Sequence, residues 1–187
     1  LAGFPFASPL GKVSLLGWGE RVSRQLITEY RSELDRLYAA SGSKRESVVR
    51  EAFKDLLKRW GKSRDLIFLA EHEYLTPGGD RRYIDGALVH SIRVPFGYWE
   101  AKDTNDRLDE EIRKKSAIGY PRDNILYEDT TTAVLIQNKR EVARAAMDDT
   151  DSLFNLVESF FRYERAAVAD FRNAVRQFAA DLPAVLH

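Results

Sequence analysis

The hydrophobic periodicity of the chain changes between Gly61 and Leu66, and this change constrains the fold more than any other feature of the sequence. Before Gly61, apolar residues recur every three or four positions, as they do on one face of an amphipathic helix. From Leu66 onward, aromatic and β-branched residues are concentrated in short segments, which is typical of strands. Helices followed by strands predict a mixed α/β domain.

Two helices are predicted before this change. They cover residues 20–40 and 44–60, and a Ser-Gly-Ser break separates them. A serine at such a break is a favourable cap for the helix that follows. Residues 1–19 contain several Gly and Pro and show no period, so we expect an N-terminal arm there.

Five strands are predicted after the change, together with one short helix. Strands at 66–75, 82–92 and 96–103 follow one another closely and are expected to form an antiparallel meander. A charged helix at 107–118 leads to two apolar strands within 124–138. We therefore expect a central mixed sheet of about five strands, flanked by helices.

The rest of the chain, residues 140–187, is predicted to be helical with a break near Asp149. Aromatic and aliphatic residues between Phe160 and Phe178 recur at helical spacing, which indicates a stripe in the core or in an interface with another domain. The sequence thus divides into a main domain over 20–147 and a C-terminal helical extension over 148–187.

Composition excludes several classes of protein. The chain has 29 basic and 29 acidic residues and hence no net charge, unlike many stand-alone nucleic-acid binders. It has no cysteine, which excludes a disulfide framework, a thiolate zinc site and a cysteine nucleophile, and favours a cytoplasmic location. No apolar run approaches the roughly 18–20 residues that span a bilayer, so no membrane association is expected.

The residues most informative about function are Asp85 on the second predicted strand and Glu100 and Lys102 on the third. Side chains alternate along a strand, so Glu100 and Lys102 share one face. If the two strands pair, Asp85 lies beside Glu100, and the carboxylates repel each other unless a cation lies between them. Carboxylates together with a backbone carbonyl, such as that of Ala101, are ligands that suit Mg²⁺, and we expect Mn²⁺ to substitute.

These charges allow two interpretations. In the first, Lys102 orients or helps to deprotonate an attacking water while the metal stabilises charge on a phosphoryl oxygen. In the second, Asp85, Glu100 and Lys102 form a buried ion-pair network in a non-catalytic α/β interaction module.

An acidic residue on one strand followed by Glu-x-Lys on the next is the signature of the PD-(D/E)xK nuclease superfamily, which this sequence resembles. The resemblance implies a restriction-endonuclease-like core in which Asp85, Glu100 and Lys102 are catalytic. Many members add a helix glutamate beside the metal, and Glu46 lies on the sheet-facing stripe of the second predicted helix. Glu46 could also be an ordinary first-turn glutamate that favours the helix dipole.

A longer resemblance covers roughly residues 44–187. It is similar to the N-terminal nuclease region of single-polypeptide restriction-modification enzymes of type ISP and type IIG. The segments that carry it are 45–50, 97–112, 124–138 and 171–186. The resemblance implies a Mg²⁺-dependent endodeoxyribonuclease from a bacterium or archaeon that cleaves double-stranded DNA. It also implies covalently linked helicase or methyltransferase domains, and Leu1 in place of an initiator Met fits a piece of a larger protein.

Two departures from the family pattern stand out. Ser116 occupies the position of a glutamine that relatives often carry four residues before a tyrosine, here Tyr120, and Ile84 replaces the usual Pro before the first Asp. A repair or junction nuclease of the same superfamily would share the chemistry, but the neutral charge disfavours an enzyme that binds DNA unaided. Candidate DNA contacts are Arg82, Lys114, Lys115, Tyr120 and Arg122.

Overall fold

A computed structural model of the 187-residue chain describes residues 15–41, 46–103, 107–165, 173–174 and 176–178. The helices and strands follow one another in the order α1 Leu15–Ser41, α2 Glu46–Lys62, β1 Leu66–Leu75, β2 Arg81–His90, β3 Pro95–Ala101, α3 Leu108–Ala117, β4 Asn124–Glu128, β5 Thr132–Gln137, β6 Arg140–Ala146 and α4 Thr150–Phe161. The first helix begins at Leu15, five residues earlier than expected. The remainder of the predicted N-terminal arm, residues 1–14, lies outside the described residues.

The six strands form one sheet in the order β1-β2-β3-β4-β5-β6. Strands β1, β2 and β3 form the antiparallel meander that the sequence predicts. Strands β3 and β4 are parallel, and the remaining pairs are antiparallel. A parallel pair needs a crossover connection, which α3 provides. The sheet is therefore mixed, as predicted, with six strands rather than five.

The prediction of a helix from residue 140 onward is wrong for its first seven residues, which form β6. Asn138 and Lys139 adopt φ angles of 48° and 68°. Two successive residues with positive φ form the tight hairpin turn whose twist matches that of the flanking strands. The segment Arg140–Ala146 is rich in good helix formers, but pairing with β5 through this turn overrides that local preference.

Helices cover both faces of the sheet. Side chains of α1, α2 and α4 pack on one face with Trp99 and Leu126, and α3 covers the other face near Tyr98 and Ile125. These helices are amphipathic because each buries one side only. Within the described part of the chain, no helix combines the length and the apolar character needed to cross a lipid bilayer.

Asn124 joins the end of α4 to the middle of the sheet. The side chain is 1% exposed, and its amide donates to the carbonyl of Phe160 at 3.2 Å and accepts from Gln137 at 3.0 Å. Removing one partner of a buried hydrogen bond leaves the other unsatisfied, at a cost of about 1–3 kcal/mol. We expect Asn124→Ala to lower the free energy of unfolding by that amount in urea denaturation. Exposed Asn155 on α4 provides the control, since Asn155→Ala should stay within about 0.5 kcal/mol of wild type.

Candidate active site

The β2–β3 ladder ends where the two candidate carboxylates lie. Its last backbone pair joins Gly86 to Trp99, and beyond it side chains replace the backbone as hydrogen-bond acceptors. Asp85 Oδ2 accepts the N–H of Ala101 at 2.9 Å, and Glu100 Oε2 accepts the N–H of Asp85 at 3.3 Å. The two hydrogen bonds hold the carboxylates side by side on neighbouring strands, which is the juxtaposition expected from the sequence.

Glu100 is buried, and one of its carboxylate oxygens forms ion pairs with two lysines. Its side chain is 4% exposed, and Oε1 lies 2.7 Å from Nζ of Lys102 and 2.7 Å from Nζ of Lys115. Burial of a carboxylate is costly unless it is paired, and two ammonium groups offset that cost. The expected neighbour, Lys102, is therefore joined by a second lysine from α3.

Lys115 and Tyr120 belong to this cluster. Nζ of Lys115 donates to the Tyr120 hydroxyl at 2.8 Å, and that hydroxyl donates to the carbonyl of Tyr83 at 2.7 Å. Burial acts against the charged form, yet hydrogen bonds to Glu100 and Tyr120 raise the pKa of Lys115 above its ordinary value. The segment in which Ser116 replaces the glutamine of relatives thus contributes a lysine to the site, and a role of Lys115 or Tyr120 in DNA contact stays a prediction.

Asp85 has a cationic partner that sequence reasoning missed. Nη2 of Arg50, from α2, lies 2.8 Å from Oδ2 of Asp85. Arg50 follows Glu46 by four positions and so shares its helix face, which was an available signal. Arg50 on Asp85 and Lys115 on Glu100 therefore come from helices on opposite faces of the sheet.

Glu128 is a second residue that sequence reasoning missed. It ends β4 opposite Ala101 in the parallel pair, and it is fully buried. Burial raises the pKa of Glu128 to about 7, although the Thr130 N–H and the charge of Arg50 act in the opposite direction. Its position at the carboxyl end of the strand after α3 was an available signal, because the parallel pairing sets Glu128 beside Ala101 and within the electrostatic reach of Asp85.

The backbone of β1 is irregular opposite Asp85. Glu71 has a φ of 50°, and the β1–β2 ladder has pairs on either side of it, Ala70 with Gly86 and His72 with Ile84. A residue other than glycine in this conformation costs about 1–3 kcal/mol, and such strain clusters at functional sites. The distortion coincides with the candidate site.

The other predicted site residues pair with groups other than Asp85 and Glu100, or their side chains lie outside the described residues. Glu46 begins α2, but its side chain lies outside the described residues. The remaining candidate DNA contacts have partners of their own: Arg82 pairs with Asp80, Lys114 pairs with Glu111, and Arg122 donates to the carbonyl of Lys139. Their role in DNA contact remains a prediction.

The donor chemistry of the site fits Mg²⁺. The adjacent carboxylates of Asp85 and Glu100 supply hard oxygen atoms. No group of three or more Asp, Glu or His side chains suited to a metal occurs among the described residues. Mg²⁺ commonly takes one or two carboxylates and keeps several waters, so this pair satisfies its usual requirement.

The chain is similar to a solved structure over most of its length. It is a cryo-EM structure of a DrdV–DNA complex, with a TM-score of 0.76 and 41% sequence identity over 87% of this chain. The matched region spans 16% of the DrdV chain. No protein-family model and no curated protein matches the sequence. The predicted fold class is confirmed: the chain has a mixed α/β fold with a six-stranded sheet flanked by helices, similar to one part of DrdV and consistent with a restriction-endonuclease-like core.

Proposed function

We propose that the chain is a Mg²⁺-dependent DNA endonuclease domain of the PD-(D/E)xK type. The observation that carries the proposal is the pair of carboxylates, Asp85 and Glu100, held side by side by backbone N–H groups with Lys102 at 2.7 Å from Glu100. Two carboxylates beside a lysine supply the oxygen ligands and the positive charge that metal-assisted phosphodiester hydrolysis needs. The similarity to a DNA-bound structure supports DNA as the substrate.

Each residue has a role that follows from its position. The ammonium group of Lys102 is fixed by Glu100, where it can orient a water molecule and stabilise negative charge on a phosphate oxygen. Asp85, Glu100 and the carbonyl of Ala101 would hold the metal, with Glu46 as an additional candidate ligand. A Mg²⁺ ion held there would supply Lewis acidity toward a phosphate oxygen.

The larger protein that we propose is a restriction-modification enzyme of the type ISP or type IIG kind. The chain spans 16% of the DrdV chain, which leaves room in such a protein for helicase or methyltransferase domains. The absence of net charge also fits this proposal, because a domain attached to other DNA-binding domains needs few phosphate contacts of its own.

A second candidate function is a non-catalytic interaction module. It is favoured by the fact that Asp85 and Glu100 both have cationic partners, Arg50 for the first and the two lysines for the second. A network with every charge paired can be structural. Metal dependence separates the two candidates.

We expect the chain to convert supercoiled plasmid DNA to nicked or linear forms when Mg²⁺ is added and to stop when EDTA removes the ion. Mn²⁺ should restore cleavage, because it accepts the same oxygen ligands. Gel electrophoresis of the plasmid forms over time provides the measurement. Cleavage that continues unchanged in EDTA contradicts metal dependence, and the absence of both cleavage and Mn²⁺ binding favours the interaction module.

A further inference from the structure

Glu128 presents a buried oxygen without a hydrogen-bond partner. Oε2 of Glu128 accepts the N–H of Thr130 at 2.8 Å, whereas Oε1 is buried and has no partner. A buried polar atom without a partner is destabilising and uncommon in folded proteins, so it requires an explanation. A donor that reached Oε1 in a second arrangement of the site would satisfy this oxygen.

The geometry places Arg50 and Asp85 beside the end of β4. Asp85 Oδ2, which binds Arg50, also accepts the N–H of Ala101. Ala101 is the residue paired with Glu128. The charge of Arg50 lowers the pKa of Glu128, and the charges of Asp129 and Asp85 raise it. Arg50 donates to Asp85 at 2.8 Å. One guanidinium group therefore lies within reach of two carboxylates and is bound to only one of them.

Binding of a divalent cation at Asp85 would compete with Arg50. A guanidinium group on Oδ2 of Asp85 repels a second cation at the same carboxylate and occupies one of its oxygens. Arg50 carries five N–H donors, and these need acceptors when it leaves Asp85. Oε1 of Glu128 is a nearby acceptor with free capacity.

We infer that Glu128 is a positioning residue that takes over the Arg50 guanidinium when the Asp85 carboxylate accepts a divalent cation. The inference rests on the proposed metal-dependent function and adds to it a reason for Arg50 and Glu128 to lie together. In this arrangement Arg50 neutralises Asp85 in one state and Glu128 in the other. Arg50 therefore keeps a carboxylate partner in both states while Asp85 becomes available.

A double-mutant cycle on Mn²⁺ affinity tests the inference without any measurement of cleavage. The four proteins are wild type, Glu128→Gln, Arg50→Ala and the double variant, and free Mn²⁺ is quantified by electron paramagnetic resonance. Glutamine keeps the shape of the side chain and can still accept the Thr130 N–H. Far-ultraviolet circular dichroism establishes that all four proteins are folded.

We expect Glu128→Gln to weaken Mn²⁺ binding roughly tenfold, because Arg50 then stays on Asp85. In the Arg50→Ala background, the same change should alter the affinity by less than about twofold. A general effect of the Glu128 charge on a nearby cation would weaken binding in both backgrounds. The difference between the effect of Glu128→Gln on Mn²⁺ affinity in wild type and its effect in Arg50→Ala therefore measures the transfer of Arg50.

Two outcomes overturn the inference alone. In the first, wild type and Glu128→Gln bind Mn²⁺ equally well. In the second, Glu128→Gln lowers the Mn²⁺ affinity equally in wild type and in Arg50→Ala. A wild-type chain that binds no Mn²⁺ overturns the inference and the proposed function together.

Discussion

Replacing Lys102 with alanine is expected to slow Mg²⁺-dependent DNA cleavage by at least about 10²–10³-fold, the usual cost of removing one donor that stabilises charge in a transition state. Asp85→Ala should have an effect at least as large, because it removes one of the two carboxylates proposed to hold the metal. The measurement is the initial rate of loss of supercoiled plasmid at saturating Mg²⁺. Lys102→Ala should remain folded, since Lys115 still lies 2.7 Å from Glu100 when Lys102 is gone. Circular dichroism should confirm that Asp85→Ala is folded as well.

Lys58→Ala serves as the matched control. Lys58 is an exposed lysine of α2 that pairs with Asp55 at 3.3 Å, away from the candidate site. An exposed ion pair of this kind contributes little to stability, so the control should cleave at the wild-type rate. Wild-type cleavage by Lys102→Ala would remove Lys102 from the catalytic machinery, and equal losses in Lys102→Ala and Lys58→Ala would indicate a loss of charge without specificity.

Phe160→Ala is expected to lower the free energy of unfolding by about 3–5 kcal/mol, the typical cost of truncating a fully buried aromatic side chain. Phe160 is 0% exposed and contacts the rings of Phe96 and Phe161 at centroid distances of 5.9 and 5.1 Å. Its removal leaves a cavity between α4 and the sheet. For a chain of this size, thermal unfolding monitored by circular dichroism should show a midpoint about 6–20 °C lower.

Phe178→Ala is the control for this prediction. Both phenylalanines lie on the stripe that the sequence predicts to be core or interface, but Phe178 is 68% exposed. Substitution at an exposed position typically changes stability by less than about 0.5 kcal/mol. Comparable losses in the two variants would mean that Phe178 also packs against apolar surface in solution.

The sequence is most informative where a segment's own pattern determines its structure. The boundaries of β1 are those predicted, and the meander from β1 to β3 follows from short turns between segments of strand-like composition. Strand β6 was missed because Arg140–Ala146 consists largely of good helix formers. The turn at Asn138 and Lys139 carries the missing information, but Asn-Lys is a weaker hairpin signal than Asn-Gly.

The residues of the candidate site likewise include some that could be predicted from the sequence and some that could not. Asp85, Glu100 and Lys102 could be predicted because alternation along two consecutive strands brings their side chains together. The contacts of Arg50, Lys115 and Glu128 depend on which helix packs on which face and on which strand lies beside β3. Such contacts between distant segments have no short-range pattern from which they could be deduced.

The parallel pairing of β3 and β4 has a consequence for the order of folding. Strand β4 reaches β3 only after the chain between them has closed a loop that contains α3, and contacts of this kind form slowly because the entropy of closure is lost first. Closure of this loop also brings Glu128, the last residue of β4, and Lys115 of α3 into their final positions. A partly folded chain that has formed only the β1–β3 meander would hold Asp85 and Glu100 without these neighbours. The complete charge arrangement of the site is therefore a property of the finished domain.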